Sequence, residues 1–194
     1  MEDIHTRIQV KGAKMISVND QETSSGRRKS LNVNIRQMGI DDLPSVFHLG
    51  EKIFTAREVP NLYRTWDEYG VIDLFQGDPE FCLVAEWEEE VIGFALGTTV
   101  TKRRSAWKYG HLVWLGTDPK FQGCGIATKL FHDLRDLMLE SGVRIIMADT
   151  EADNEPALKF FEKLGFGNPE EQVYLALNLE SKRRKLKEKR GNSL

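Results

Sequence analysis

Apolar residues recur along this chain in two rhythms, and each rhythm predicts a type of element. Val33 to Arg36 alternates as a strand does. Past Asp41, read as a helix N-cap, the residues Leu43, Val46, Phe47, Leu49, Ile53 and Phe54 fall at helical spacing. Residues 55–77 are irregular, contain Pro60, and carry Tyr63, Trp66, Tyr69 and Phe75. The apolar runs 81–85 and 91–97 flank Glu88-Glu89-Glu90 and predict a hairpin. Residues 111–115 form the next strand, and Leu130, Leu134, Leu137 and Met138 mark one face of the helix that follows. The unbroken run Ile145-Ile146-Met147-Ala148 has the composition of a strand buried on both faces. Residues 154–164 predict another helix, closed by Gly165, and residues 173–179 a last strand. With the irregular segment counted as helical, the order is β-α-α-β-β-β-α-β-α-β, an α/β arrangement with a mixed sheet.

Size and composition fit one domain with tails: 194 residues, 40% of them apolar. Residues 1–32 read as a flexible polar arm, 33–179 as the folded domain and 180–194 as a basic tail. No apolar run approaches the ~20 residues of a membrane helix, and the N-terminus lacks the pattern of a secretion signal. Cys82 and Cys124 have neither disulfide-scaffold nor zinc-site spacing, and Cys82 lies in an apolar strand as a core thiol would. The expectation is a cytoplasmic protein with no membrane partner and no metal. Charge is uneven. Residues 182–190 carry seven basic side chains and one acid, while the net charge of the whole chain is −3. The body between the tails is strongly acidic, which favours a cationic substrate or simply keeps the protein soluble. The basic tail lacks interleaved aromatics, so nucleic acid is not an expected partner. A homodimer is compatible with a domain of this kind.

Candidate chemistry concentrates in residues 113–127, VWLGTDPKFQGCGIA. An apolar strand runs into an Asp-Pro turn, a short glycine loop and then an amphipathic helix. That order presents backbone N–H groups at a helix N-terminus starting near Cys124, where a phosphate or pyrophosphate can sit. Gly123 and Gly125 carry no Cβ, so an anion can approach the backbone closely. No Gly-x-x-x-x-Gly-Lys-Ser/Thr is present, and the third glycine of a dinucleotide fingerprint is missing. The spacing Gln122-x-x-Gly125-x-Ala127 resembles the Q/R-x-x-G-x-G/A loop of the GCN5-related N-acetyltransferases (GNAT), which holds the pyrophosphate of acetyl-CoA. A second segment, Asn154-Glu155-Pro156-Ala157-Leu158-Lys159-Phe160-Phe161-Glu162-Lys163-Leu164-Gly165-Phe166, is similar to the same family's N-x-x-A-x-x-F-Y-E-K-x-G-F. It is somewhat similar to the branch that acetylates ribosomal-protein N-termini.

The resemblance covers residues 33–179 and implies a mixed, mostly antiparallel sheet flanked by helices, with a V-shaped opening between its central strands. Acetyl-CoA would lie in that opening as cosubstrate, paired in strand fashion with the backbone of Leu115, Gly116 and Thr117. Gln122, Gly123, Cys124, Gly125, Ile126, Ala127 and Thr128 would hold the pyrophosphate. Asn154 would touch the CoA arm, a position that also predicts a helix N-cap. Phe160 and Phe161 would wall the arm, with ordinary core packing the simpler reading for Phe160.

Acetyl transfer needs a neutral amine, a polarised carbonyl and a stabilised thiolate. The family often supplies a tyrosine hydroxyl for the thiolate, and its place here is Phe161, which holds no proton. Tyr109 and Tyr174 are substitutes of unassigned position. His111 and Asp149 are alternative candidates for the base, with Glu151 close to the latter. Each also has a structural reading, His111 as a sheet histidine and Asp149 as a turn residue. The acceptor expected is a primary amine on a protein N-terminus or lysine, with a small amine as the alternative. Residues 55–77 correspond to the family's acceptor-binding helices, where Tyr63, Trp66 and Tyr69 enclose a cation or cap the core. The cations in residues 101–108 would oppose a polybasic acceptor, or else meet the 3′-phosphate of CoA or an acidic acceptor. A different class of function, an acetyl-CoA sensor without turnover, is motivated by Phe161 and the charged tails.

Overall fold

Alternation along the strands divides their side chains between two cores, one on each face of a five-stranded sheet. The computed structural model describes residues 32–54, 66–101, 107–171 and 173. Strands β1 (Asn34–Gln37), β2 (Cys82–Trp87), β3 (Glu90–Thr101), β4 (Lys108–Thr117) and β5 (Val143–Ala148) lie side by side in chain order. The first three pairings are antiparallel and β4–β5 is parallel. The parallel step requires a crossover, which helix α3 (Ile126–Glu140) supplies. Helices α1 (Leu43–Ile53) and α2 (Glu68–Gly77) cover one face. Helix α3 and α4 (Glu155–Lys163) cover the other.

Leu130, Leu134 and Met138 of α3 are fully buried, as the spacing predicts, against Leu112 and Leu115 of β4. Close packing on that face depends on missing side chains. A Cβ at Gly110 would lie 2.5 Å from Met138 Sδ, and one at Gly97 2.7 Å from Met138 Cε. On the opposite face Trp66 is buried among Phe94, Trp114 and Phe54, and its indole N–H donates to the Phe47 carbonyl. Gly50 of α1 is the position that lets the Trp66 ring lie flat on the helix.

Several local expectations are corrected. Helix α1 is entered through a 3-10 turn at Ile40–Asp42, and its N-cap is Asp42 rather than Asp41. The Asp42 carboxylate is drawn away from capping: it accepts from the Gly39 N–H and both terminal nitrogens of Arg36, which also reaches Glu86. The irregular pattern of residues 55–77 ends in a regular helix over its last ten positions, capped by the Asp67 side chain on the Gly70 N–H. Trp66 and Phe75 pack on the core, whereas Tyr69 is 71% exposed. The run in β5 is not buried on both faces. Ile146 and Ala148 pack toward α3, while Ile145 and Met147 on the other face are 38% and 42% exposed. The arm, Tyr63, most of the 101–108 loop, the final strand with Tyr174 and the basic tail fall outside the described residues.

Two stability predictions follow from this packing. The Arg36 guanidinium holds the Asp42 carboxyl below the usual carboxylate range, with a further contribution from the Gly39 N–H. A carboxyl lowered in the folded state stabilises above its unfolded-state pKa, about 4, and loses that contribution as pH falls through its folded value. Asp42→Asn should therefore cost about 1–3 kcal/mol in urea unfolding at pH 7, with the gap from wild type closing below about pH 4. An unchanged gap at acid pH would refute the assignment. Gly50→Ala places a methyl 2.0 Å from the Trp66 ring and should cost about 1–3 kcal/mol, or more, by the same measurement.

Candidate active site

The geometry of the site starts from a one-residue irregularity in β4. Leu96 pairs with Trp114 but Gly97 pairs with Leu112, so Val113 is an extra residue, a β-bulge. Val113 and Trp114, adjacent in sequence, consequently both enter the core under α1 and α2. Just beyond the bulge, β4 and β5 part. Their pairing runs from Lys108 opposite Val143 to Leu112 opposite Ala148 and ends there. Residues 113–117 of β4 continue for five positions with a strand neighbour only on the β3 side, among the described residues. The expected opening between the central strands is this divergence.

Leu115, Gly116 and Thr117 lie along the unpaired stretch. The Leu115 side chain is buried toward α3, and a Cβ at Gly116 would meet Ile53 at 2.9 Å and Phe94 at 3.0 Å on the other face. Their side positions are thus committed to the two cores, leaving the backbone edge for an extended ligand. Thr117 Oγ1 is buried and has no hydrogen-bond partner among the described residues. A buried hydroxyl without a partner is costly.

Beyond Thr117, Asp118 accepts from the Lys120 N–H and starts a 3-10 turn at Pro119–Phe121. Helix α3 then begins at Ile126, two residues later than expected, with Gly125 as its N-cap in the left-handed region at φ +78°. Gly123 is also left-handed, at φ +75°. Both glycines are exposed, and an added Cβ would point into open space at either. The N–H of Gln122 bonds Pro119 O and that of Cys124 bonds Phe121 O, so these two are committed to the turn. The helical ladder starts with the Lys129 N–H on Gly125 O, and no side chain caps the end. The N–H groups of Gly125, Ile126, Ala127 and Thr128 are therefore the orphan donors of the helix. Four donors on the positive end of a 15-residue helix, behind two exposed glycines, fit a pyrophosphate.

His111 and Asp149 are brought together. The sequence offers them as alternatives, 38 positions apart, and the fold joins His111 Nε2 to Asp149 Oδ1 at 2.9 Å. His111 sits one step before the end of the β4–β5 pairing, opposite Met147, and Asp149 follows the last residue of β5. The pair thus spans the apex of the opening. The imidazole is largely buried, with 11% of its side chain exposed, against 35% for Asp149. Sequence reasoning supplied both residues but not their pairing, because register across a parallel crossover is not encoded locally.

Comparison with known proteins places the chain in a family. Residues 45–166 match the Acetyltransferase (GNAT) family. The chain belongs to the GNAT family. It is 36% identical over 88 residues to N-alpha-acetyltransferase 30 of Schizosaccharomyces pombe, a stretch that is 45% of this chain and 58% of that protein. Its fold is shared with an aminoglycoside acetyltransferase, meta-AAC0020, from an uncultured soil metagenomic sample (TM-score 0.60, 18% identity, 75% of this chain and 95% of the other). It is also shared with Ard1 of Thermoplasma volcanium (TM-score 0.56, 22% identity, 74% and 84%).

The second GNAT-like segment has its own local logic. Asn154 is the N-cap of α4: its Oδ1 accepts from the Ala157 N–H, and its Nδ2 donates to Thr150 Oγ1. It is 8% exposed, so the cap ties the loop after β5 to the helix from the inside. Phe161 is buried at 7% exposure and packs edge-on against Phe160 and Phe166, while Phe160 is only half-buried. Phe161 is thus the more deeply packed of the two rings, although core packing is the simpler reading of the sequence for Phe160. Glu151 is exposed and gives its carbonyl to the Asn154 N–H. Tyr109 is half-buried on the same face of β4 as His111. Among the described residues no helix is long and apolar enough to cross a membrane.

Loss of the α4 cap should be measurable without any ligand. Asn154→Ala is expected to lower stability by about 1–2 kcal/mol in thermal or urea unfolding, and Asn154→Asp, which keeps the acceptor, by less.

Proposed function

We propose that this chain transfers an acetyl group from acetyl-CoA to a primary amine by direct attack of the amine on the thioester. The acceptor is a protein N-terminus or a lysine side chain. One observation carries the reading: a backbone edge at residues 113–117, unpaired on one side among the described residues, leads to N–H groups of residues 125–128 that likewise have no cap among them. An extended amide chain ending in a pyrophosphate matches that sequence of donors and acceptors. Acetyl-CoA supplies an activated acyl group on a thiolate leaving group. The chain's own residues do the rest. Leu115, Gly116 and Thr117 align the amide chain by strand-like pairing. Gly125, Ile126, Ala127 and Thr128 bind the pyrophosphate through backbone N–H groups, with Gln122, Gly123 and Cys124 shaping the loop. Asn154 holds the start of α4 beside the CoA arm, and Phe161 backs that helix from the core.

The likeness to an N-alpha-acetyltransferase supports an N-terminal acceptor. That relative is matched over 58% of its length, so acceptor choice rests on experiment. Removal of the amine proton falls to the His111–Asp149 pair at the apex. Phe161 stands where the family often has a tyrosine and holds no proton, so the departing thiolate takes its proton from elsewhere in the site.

The test is thiol release from acetyl-CoA with a panel of acceptors: peptides with free N-termini, lysine peptides, polyamines and aminoglycosides. Release with N-terminal or lysine peptides is the expected outcome. Release with the small amines alone would replace the acceptor assignment, and tight acetyl-CoA binding with no release would replace the enzyme by a sensor. Gly125→Glu should abolish acetyl-CoA binding by calorimetry, whereas Gly125→Ala, which shares the backbone strain without the charge, should weaken it about tenfold or less. Unchanged binding by the glutamate variant would overturn the loop assignment.

A further inference from the structure

We infer that His111 and Asp149 are not alternative bases but one proton-handling unit, in which the His111 imidazole accepts the amine proton and Asp149 is a positioning residue. The inference rests on the acetyl transfer proposed above and assigns roles within it. Three observations carry it. The two side chains meet at 2.9 Å between His111 Nε2 and Asp149 Oδ1. The contact crosses the apex where β4 and β5 separate, one step from the last paired residues Leu112 and Ala148. The imidazole is the more buried partner and the carboxylate the more exposed one.

An ionised carboxylate only accepts hydrogen bonds, so when the ring is neutral the shared hydrogen is on Nε2. That choice fixes the tautomer and leaves the lone pair on Nδ1 as the proton acceptor. The carboxylate also compensates the positive charge that appears on the ring when the proton arrives. The step balances as follows. The amine nitrogen forms a bond to the acetyl carbonyl carbon, and the C–S bond of the thioester breaks. One proton passes from that nitrogen to His111 Nδ1, and the sulfur leaves with the electron pair of the broken bond. His111 then returns its proton to solvent or to the thiolate.

Among the described residues, other ionisable groups sit on the elements around His111. Tyr109 lies two residues back on the same strand face. Asp78, at the C-terminal end of α2, is held by the hydroxyl and N–H groups of Thr98 and Thr99, and Thr98 is the cross-strand neighbour of His111. Glu151 lies two residues past Asp149 and is exposed. A purely structural strut between the two strands would also explain the contact, and the test must separate the two.

The first measurement is the pH profile of kcat/KM by thiol release. Wild type should lose activity toward acid pH over one protonation step. His111→Gln should lose that step and fall about 10²-fold or more. Asp149→Asn should lower kcat about tenfold, displace the midpoint of the step and leave the affinity for acetyl-CoA unchanged. The double variant should be no slower than His111→Gln alone, since the two act as a unit. A His111→Gln variant that keeps the acid step, or an Asp149→Asn variant that loses stability with an unmoved profile, would overturn the inference. The second measurement needs no turnover. Nitrogen NMR of the histidine rings, with His111 identified by its absence in His111→Gln, should show the Nε2–H tautomer in wild type and its loss in Asp149→Asn. A dominant Nδ1–H tautomer would overturn the inference by itself. Absence of thiol release from wild type with every acceptor would instead remove the acetyl-transfer reading and the roles assigned within it.

Discussion

Everything at the site depends on the point where β4 stops pairing with β5. A strand inside a sheet has its N–H and C=O groups satisfied on both sides, and leaving one edge open is costly in a buried setting. Here β4 runs five residues past Leu112, its last residue paired with β5. The bulge at Val113 prepares the divergence by adding one residue and turning two successive side chains into the same core. The open edge, the Thr117 hydroxyl and the start of α3, none with a partner among the described residues, follow one another along the chain. Such unmet hydrogen-bonding capacity, gathered at one end of β4, is the capacity a polar ligand can use.

The order of elements was largely legible because it rests on local signals. Leu130, Leu134 and Met138 recur on one helical face, and the runs of β2 and β3 flank a charged turn. That turn shows the limit of the same reasoning. Glu88 and Glu89 both adopt positive φ, at 50° and 67°, where asparagine or glycine is usual. The pairing of the flanking strands imposes the turn on residues with little preference for it. Helix α2 was obscured by Gly70 and by an aromatic-rich composition that suits loops as well as helices. What decides its start is Asp67 capping Gly70 and Trp66 anchored on the Phe47 carbonyl, a contact across 19 residues. The β5 run misled because continuous apolarity signals burial only when both faces are covered, and Ile145 and Met147 face outward.

The site was legible in its parts and not in its connections. The glycine loop is a local pattern, so spacing alone points to it. The bulge leaves no such trace: Val113, Trp114 and Leu115 are all apolar, and nothing in their order says which residue is extra. The meeting of His111 with Asp149 needs the register of a parallel pairing that is set by the whole of α3 between them. Phe161 illustrates a third case. Its place in the sequence suggests a wall for a ligand, and what the sequence does not show is that its ring also lies between Phe160 and Phe166 within the α3–α4 core.

The glycines divide into two groups that separate folding from function. Those at positions 50, 97, 110 and 116 are filled spaces: a Cβ at any of them would meet a neighbouring side chain at 2.9 Å or less. Their absence of side chain is explained by the packing itself. Gly123 and Gly125 are different, since a Cβ there would meet nothing within 4 Å. Packing places no demand on them, and left-handed φ values of 75° and 78° are a conformational requirement of the loop alone. The two left-handed glycines flank Cys124, and the absence of a side chain at each leaves the loop surface open to what approaches it from outside. Its orphan donors give that approach a sign, since backbone N–H groups at a helix N-terminus favour an anion.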